Sequence, residues 1–145
     1  MSENIEIFPL AKKEVPEASI LLSNYFKGQI NDCTSILERL LDFQIAQFLL
    51  ARVNGTPSGF LVYDWEFSMT KGLPVLHIVA LYTAKEFRKR SIAKTLVCEA
   101  KAIARKHGAN RLQLETDEEN IPARLLYSKL GFELLPEKEV YMLFL

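Results

Sequence analysis

The run PVLHIVALYT, residues 74–83, is apolar at positions that face both sides of a strand. A strand of this kind needs cover on both faces, which constrains the chain to a sheet with packed layers above and below it. Directly after it, EFRKRSIAKTLV (86–97) opens an amphipathic helix that runs to about Lys106, with Ile92, Leu96, Ala100 and Ile103 on one face, flanked by Ala93, Val97 and Ala104. Arg105, Lys106 and His107 suit the C-terminal end of the helix dipole, and Gly108 the position just past it.

The rest of the chain supplies the other layers. NIEIFPL alternates as a strand ending at Pro9, KEVPEASILLSNYF carries Ile20, Leu21, Tyr25 and Phe26 at helical spacing, and DCTSILERLLDF reads as a second helix with Thr34 or Ser35 as its N-cap. AQFLLARV and SGFLVYDWEF are joined by NGTP, whose Asn-Gly predicts a hairpin. After the amphipathic helix come a strand in NRLQLET and a helix in PARLLYSKL, with Pro122 near its start and Gly131 after its end. FELL and EVYMLFL close the series as strands. No repeat or linker divides the 145 residues, so a single domain over 1–145 is expected, a mixed α/β fold.

Eighteen Lys and Arg balance eighteen Asp and Glu, which argues against binding nucleic acid or an anionic membrane by bulk charge. The N-terminus lacks a basic region followed by an apolar run, and no stretch has the roughly 18 apolar residues of a membrane span, so a cytoplasmic protein is expected. Cys33 and Cys98 are isolated and the two histidines are not clustered, so no disulfide framework or metal site is expected, and both cysteines are read as small buried hydrophobes.

Arg88, Lys89 and Arg90 oppose the dipole of the helix they introduce, at a cost of about 0.3–1 kcal/mol each. They either coat a solvated surface or surround an anion held by the unpaired N–H groups of the first turn. GxGxxG is absent, and SIAKT lacks the glycines of a Walker A loop, which argues against a nucleoside triphosphatase.

Residues from about 75 to 132 resemble the core of the GNAT acetyltransferase superfamily. Its strand is followed by an Arg/Gln-x-x-Gly-x-Gly/Ala turn, here Arg88-Lys89-Arg90-Ser91-Ile92-Ala93, and its second signature matches Asn120, Ala123, Tyr127, Gly131 and Phe132 in NIPARLLYSKLGF. The resemblance implies the GNAT fold: one mixed, mostly antiparallel sheet of about six or seven strands, with about four helices on both faces. It implies acetyl-CoA, or another acyl-CoA, as co-substrate. The pyrophosphate would lie on the N–H groups of residues 89–93, with the pantetheine arm beside Leu81, Tyr82 and Thr83. A strand N–H would stabilise the oxyanion. One departure stands out: Ser91 occupies a glycine position, where its Cβ restricts positive φ.

The implied activity is N-acetyl transfer by direct attack of a small-molecule or peptide amine on the thioester. Tyr127, by its match to the family's tyrosine, would protonate the thiolate; by spacing alone it belongs to an apolar stripe with Ala123, Leu126 and Leu130, with Phe132 packing on it past Gly131. Asn120 either starts the last helix or contacts the coenzyme, since Pro122 disfavours helical geometry at Ile121 and so places Asn120 just outside the helix. The buried strand has no carboxylate, so His77 is its one side chain able to take a proton near neutral pH, against the alternatives of a satisfied core histidine, a water relay through Asp64, Glu66 or Glu115, or no dedicated base. Asp32, Glu137 and Glu139, in the KGQINDC and LLPEKEV loops, are candidates to attract a cationic amine, and WEFSM a candidate homodimer surface. The rival reading is a catalytically degenerate domain of the same fold that binds acyl-CoA, another anion or a protein partner.

Overall fold

The computed structural model describes residues 4–135 and 139–145. One compact unit extends to Glu115 and a second runs from Thr116 to Leu145. The first holds a five-stranded sheet in the order β1 (Ile5–Pro9), β2 (Gln47–Val53), β3 (Thr56–Ser68), β4 (Leu73–Thr83) and β5 (Leu112–Leu114). Its first three pairings are antiparallel, and the fourth, reached through a crossover helix, is parallel.

The β2–β3 hairpin turns on Asn54 and Gly55, both at positive φ (49° and 83°), as an Asn-Gly turn of two residues requires. Alternation along the strands then sorts side chains between two layers. Phe48, Leu50, Phe60 and Val62 face a core completed by Ala18, Leu21 and Leu22 of α1 (Val15–Phe26) and by Cys33 and Leu37 of α2 (Ile30–Phe43). On the other face, α3 (Ile92–Lys106) buries Ile92, Leu96, Val97, Ala100 and Ala104. Gly59 brings the two elements close: a Cβ there would sit 2.5 Å from the Tyr82 carbonyl oxygen and 3.3 Å from Ile92 Cγ2.

In the second unit, α4 (Ile121–Lys129) ends in the hydrogen bonds of a Schellman motif. Phe132 N–H donates to the Tyr127 carbonyl (3.0 Å) and Gly131 N–H to that of Ser128 (3.1 Å), with Gly131 at φ 95°. Phe132 packs edge-on against Tyr127, with ring centroids 6.1 Å apart. Both the cap and the contact match the expectation from sequence.

Four helices form as expected, but the sheet has five strands among the described residues, fewer than the six or seven implied. Residues 132–135 and 139–145 are not strands. Their apolar and aromatic side chains suit a pleated surface, yet a strand exists only where a neighbour accepts its ladder, and Val140 to Phe144 are exposed. The second helix begins at Ile30 after Gln29, four residues before Thr34; Thr34 and Ser35 instead bond back to the carbonyls of Ile30 and Asn31 within it. Ile20, Tyr25 and Phe26 are exposed, and Val15, Ala18 and Ser19 join Leu21 in the buried face of α1. Cys33 is buried, which pushes its thiol pKa up, with Asp32 adding to the rise; Cys98 is exposed on α3, a correction to its reading as a core residue. Among the described residues no helix is long and apolar enough to cross a membrane.

Candidate functional site

The strand read as interior on both faces is buried only in its first half. Val75, Leu76 and Ile78 are buried, Val79 is half exposed, and Ala80 to Thr83 are intermediate. The cause is the departure of β5, which pairs with β4 only at Leu76, His77 and Ile78, whereas β3 continues alongside as far as Thr83. A bulge between Val62 and Tyr63 marks the same place. Past Ile78, no described residue forms a β-ladder on the β5 side of β4, so Leu81, Tyr82 and Thr83 lie on a strand edge able to take an extended ligand.

That edge leads through a short turn (Lys85–Phe87) into Arg88, Lys89 and Arg90, all exposed. Arg88 Nε donates to the Thr83 carbonyl (3.1 Å), and Arg90 stacks 5.1 Å over the Phe87 ring. Lys89 and Ser91 both adopt left-handed backbone at φ 64°. Ser91 is the N-cap of α3, and its side chain makes no capping hydrogen bond. The first bond into the helix runs from Thr95 N–H to the Ser91 carbonyl (2.9 Å), so the N–H groups of Ile92, Ala93 and Lys94 have no main-chain acceptor among the described residues. Three unpaired N–H groups, a positive dipole end and adjacent cations have the chemistry of an anion cradle.

Below the point where the strands part, the candidate base His77 and the three carboxylates named as its possible relay come together. Asp64 and Glu66 alternate onto one face of β3, and the register sets His77 directly opposite Asp64. His77 Nδ1 is 2.8 Å from Asp64 Oδ1 and 3.3 Å from Glu66 Oε2, while Nε2 is 2.6 Å from Glu115 Oε2. Burial, the largest single influence on the ring, disfavours its charged form. The hydrogen bonds to Glu115 and Asp64, with their negative charges, together outweigh it, and the pKa is raised above the ordinary histidine value. The ligand-type atoms of Asp64, Glu66 and His77 come within 4.8 Å of one another. With carboxylates on both ring nitrogens, the arrangement is a proton network.

In the second unit, Asn120 is the N-cap of α4, just outside the helix, and its Oδ1 accepts the Ala123 N–H (3.3 Å). Its side-chain oxygen thus caps the helix, and its amide nitrogen makes no hydrogen bond among the described residues. Tyr127 lies in the stripe expected of it, half-buried with Ala123, Leu126 and Leu130. Asp32 is exposed in the first turn of α2, and Glu139 accepts from the Tyr141 hydroxyl (3.1 Å); Glu137 lies outside the described residues. Phe67 and Met69, both in the WEFSM segment, are exposed.

The family description that matches this chain is "Acetyltransferase (GNAT) family", over residues 16–132. An N-alpha-acetyltransferase of Saccharolobus solfataricus is 33% identical over 104 residues, covering 67% of this chain and 62% of that protein, and one of Sulfurisphaera tokodaii matches with the same figures. The chain thus spans less than two thirds of the length of these curated relatives. Among solved structures, a ribosomal-protein-alanine N-acetyltransferase from Brucella melitensis biovar Abortus 2308 superposes with TM-score 0.83 at 22% identity, covering 98% of this chain and all of that one. The aminoglycoside N-acetyltransferase AAC(6′)-Iy, in complex with CoA, superposes with TM-score 0.83 at 19% identity, covering 98% and 95%. At these identities the superpositions establish the shared fold.

Proposed function

The chain belongs to the GNAT acetyltransferase family, and from that premise we propose that it transfers an acetyl group from acetyl-CoA to an amine by direct attack on the thioester. The observation that carries this reading is the conformation of Ser91. Although it replaces glycine, it holds the left-handed backbone at φ 64° that opens α3 with its N–H groups unpaired. That conformation costs an L-residue roughly 1–2 kcal/mol, and here it stands where α3 opens beside Arg88, Lys89 and Arg90.

In this reading the pyrophosphate lies on the N–H groups of residues 89–93, framed by Arg88, Lys89 and Arg90. The pantetheine arm pairs with the open edge of β4 at Leu81, Tyr82 and Thr83, where a strand N–H would receive the developing oxyanion. Asn120 would add a coenzyme contact. His77, directly or through water, takes a proton from the incoming ammonium; the amine nitrogen then bonds to the acetyl carbon, the carbon–sulfur bond breaks, and Tyr127 protonates the thiolate. The relatives' shared name makes an α-amine the first acceptor to try, ahead of other small-molecule or peptide amines.

Titration calorimetry with acetyl-CoA, with free CoA and with an Arg88→Ala/Arg90→Ala variant tests the reading. Low-micromolar binding, weakened at least tenfold in the variant, is the expected result. No heat of binding at millimolar coenzyme would overturn it and favour the degenerate alternative.

A further inference from the structure

We propose that Asp64 is a positioning residue that acts through His77: by holding Nδ1–H it fixes the tautomer in which Nε2 is the nitrogen that takes the acceptor's proton. This rests on the activity proposed above.

The geometry carries the inference. A neutral imidazole has one N–H and one lone pair, and a carboxylate only accepts, so Asp64 at 2.8 Å from Nδ1 requires the proton on that nitrogen. Glu66, 3.3 Å from the same atom, adds to the pull. When the ring is neutral, the lone pair is then on Nε2, the nitrogen whose carboxylate partner, Glu115, is the more exposed and can turn away, while Asp64 stays held on β3. In the imidazolium form, Nε2 also holds a proton and donates it to Glu115, which satisfies both short contacts. The side chain of Glu115 is more than half exposed. Once Nε2 has lost its proton, that carboxylate can turn to hold the incoming ammonium beside it. Nε2 then accepts one ammonium proton, the imidazolium charge so formed is stabilised by Asp64 and Glu66, and the neutral amine attacks. The second nitrogen proton passes through Tyr127 to the departing thiolate as the tetrahedral intermediate collapses to amide and CoA thiol. Asp64 itself exchanges no proton in this sequence, as in the carboxylate–imidazole couple of other acyl-transfer enzymes.

The charged groups facing the ring among the described residues are Asp64 and Glu66 from β3 and Glu115 just past β5; its register partner on β5, Gln113, is neutral. Replacing Asp64 by Asn therefore removes negative charge from one side only. The acidic limb of the kcat/KM profile should move to lower pH, because His77 loses its proton more readily. Turnover on the high-pH plateau should fall about tenfold to a hundredfold, because the ring is less well aimed and less basic. KM for acetyl-CoA should stay within twofold. Glu66→Gln should shift the limb the same way by less.

The experiment pairs these profiles with ¹⁵N NMR of the histidine ring, whose signals assign the tautomer and titration of His77 without any substrate. The expected spectrum above the limb has the proton on Nδ1 in the wild-type protein, and an earlier titration in Asp64→Asn. A proton on Nε2 in the wild type, which needs no variant to fold, would overturn the proposal. So would an unmoved limb in Asp64→Asn with coenzyme binding intact. Loss of acetyl-CoA binding by the wild-type protein in calorimetry would instead overturn the activity itself, and Asp64's role with it.

Discussion

His77 sits between two carboxylates, with Nε2 2.6 Å from Glu115 Oε2 and Nδ1 2.8 Å from Asp64 Oδ1, linking β3, β4 and the end of β5 just before the last two strands separate. Because the ring's pKa is raised in the folded state, the stability it contributes is fully present below its unfolded value near 6.5 and is lost as pH rises through the folded value. His77→Gln should accordingly cost more melting temperature at pH 6 than at pH 9, with the gap narrowing between them. Paired thermal unfolding at the two pH values measures this, and an equal or widening gap would show that His77 is not charged in the fold.

Gly59 tests how tightly the sheet sets the coenzyme turn. The Cβ of an alanine there would fall 2.5 Å from the Tyr82 carbonyl oxygen, a main-chain atom that cannot rotate away, with Ile92 of α3 only 3.3 Å off on another side. Gly59→Ala should destabilise the protein by about 1–3 kcal/mol, the usual cost of overpacking. Acetyl-CoA affinity should fall with it, because β4 and the first turn of α3 are pushed apart. Urea unfolding and calorimetry read the two effects separately, and a variant as stable as the parent would mean that the strands have slack at this point.

Elements whose signals are local were legible in the sequence. The Asn54-Gly55 turn, the span of α3 and the cap at Gly131 each rest on a few neighbouring residues with one favourable conformation. What depended on pairing was not legible. The apolar pattern of residues 74–83 could not reveal that β5 would stop after three residues, so the exposed half of β4 read as interior. Asp64, Glu66, His77 and Glu115 were all candidates from sequence, but that they meet at one ring was hidden for the same reason. They are up to 51 residues apart, and the register that sets Asp64 against His77 includes a bulge. The one available hint was Asp64-Trp65-Glu66, two acids alternating onto one face of a strand whose hairpin partner carries a histidine. In the other direction, the family motif identified Ser91 as an outlier before its backbone was known.

Tyr127 serves the helix cap through its ring and its main chain. Its ring meets Phe132 edge-on at 6.1 Å and its carbonyl takes the Phe132 N–H, neither of which involves the phenolic hydroxyl. Tyr127→Phe should therefore keep the helix cap and the ring contact with Phe132. It should lower turnover by about tenfold to a thousandfold if the hydroxyl protonates the thiolate. Steady-state rates with a saturating α-amine peptide decide the matter, and an undiminished kcat would remove Tyr127 from the mechanism.

Ser91 is where backbone conformation and coenzyme binding should prove inseparable. Left-handed backbone costs an L-residue roughly 1–2 kcal/mol, and most for a β-branched side chain. Ser91→Gly should be within about 1 kcal/mol of the parent in stability, since relief of that cost is offset by the greater freedom of the unfolded chain. It should bind acetyl-CoA at least as tightly. Ser91→Val should move the residue out of φ 64°, turn the N–H groups of Ile92 and Ala93 away from the pyrophosphate, and weaken binding at least tenfold while the far end of α3 stays folded. Calorimetry on the three proteins, with circular dichroism to check the helix, gives the comparison. If valine bound as well as glycine, the left-handed turn would be incidental, and the affinity would have to come from Arg88, Lys89 and Arg90 alone.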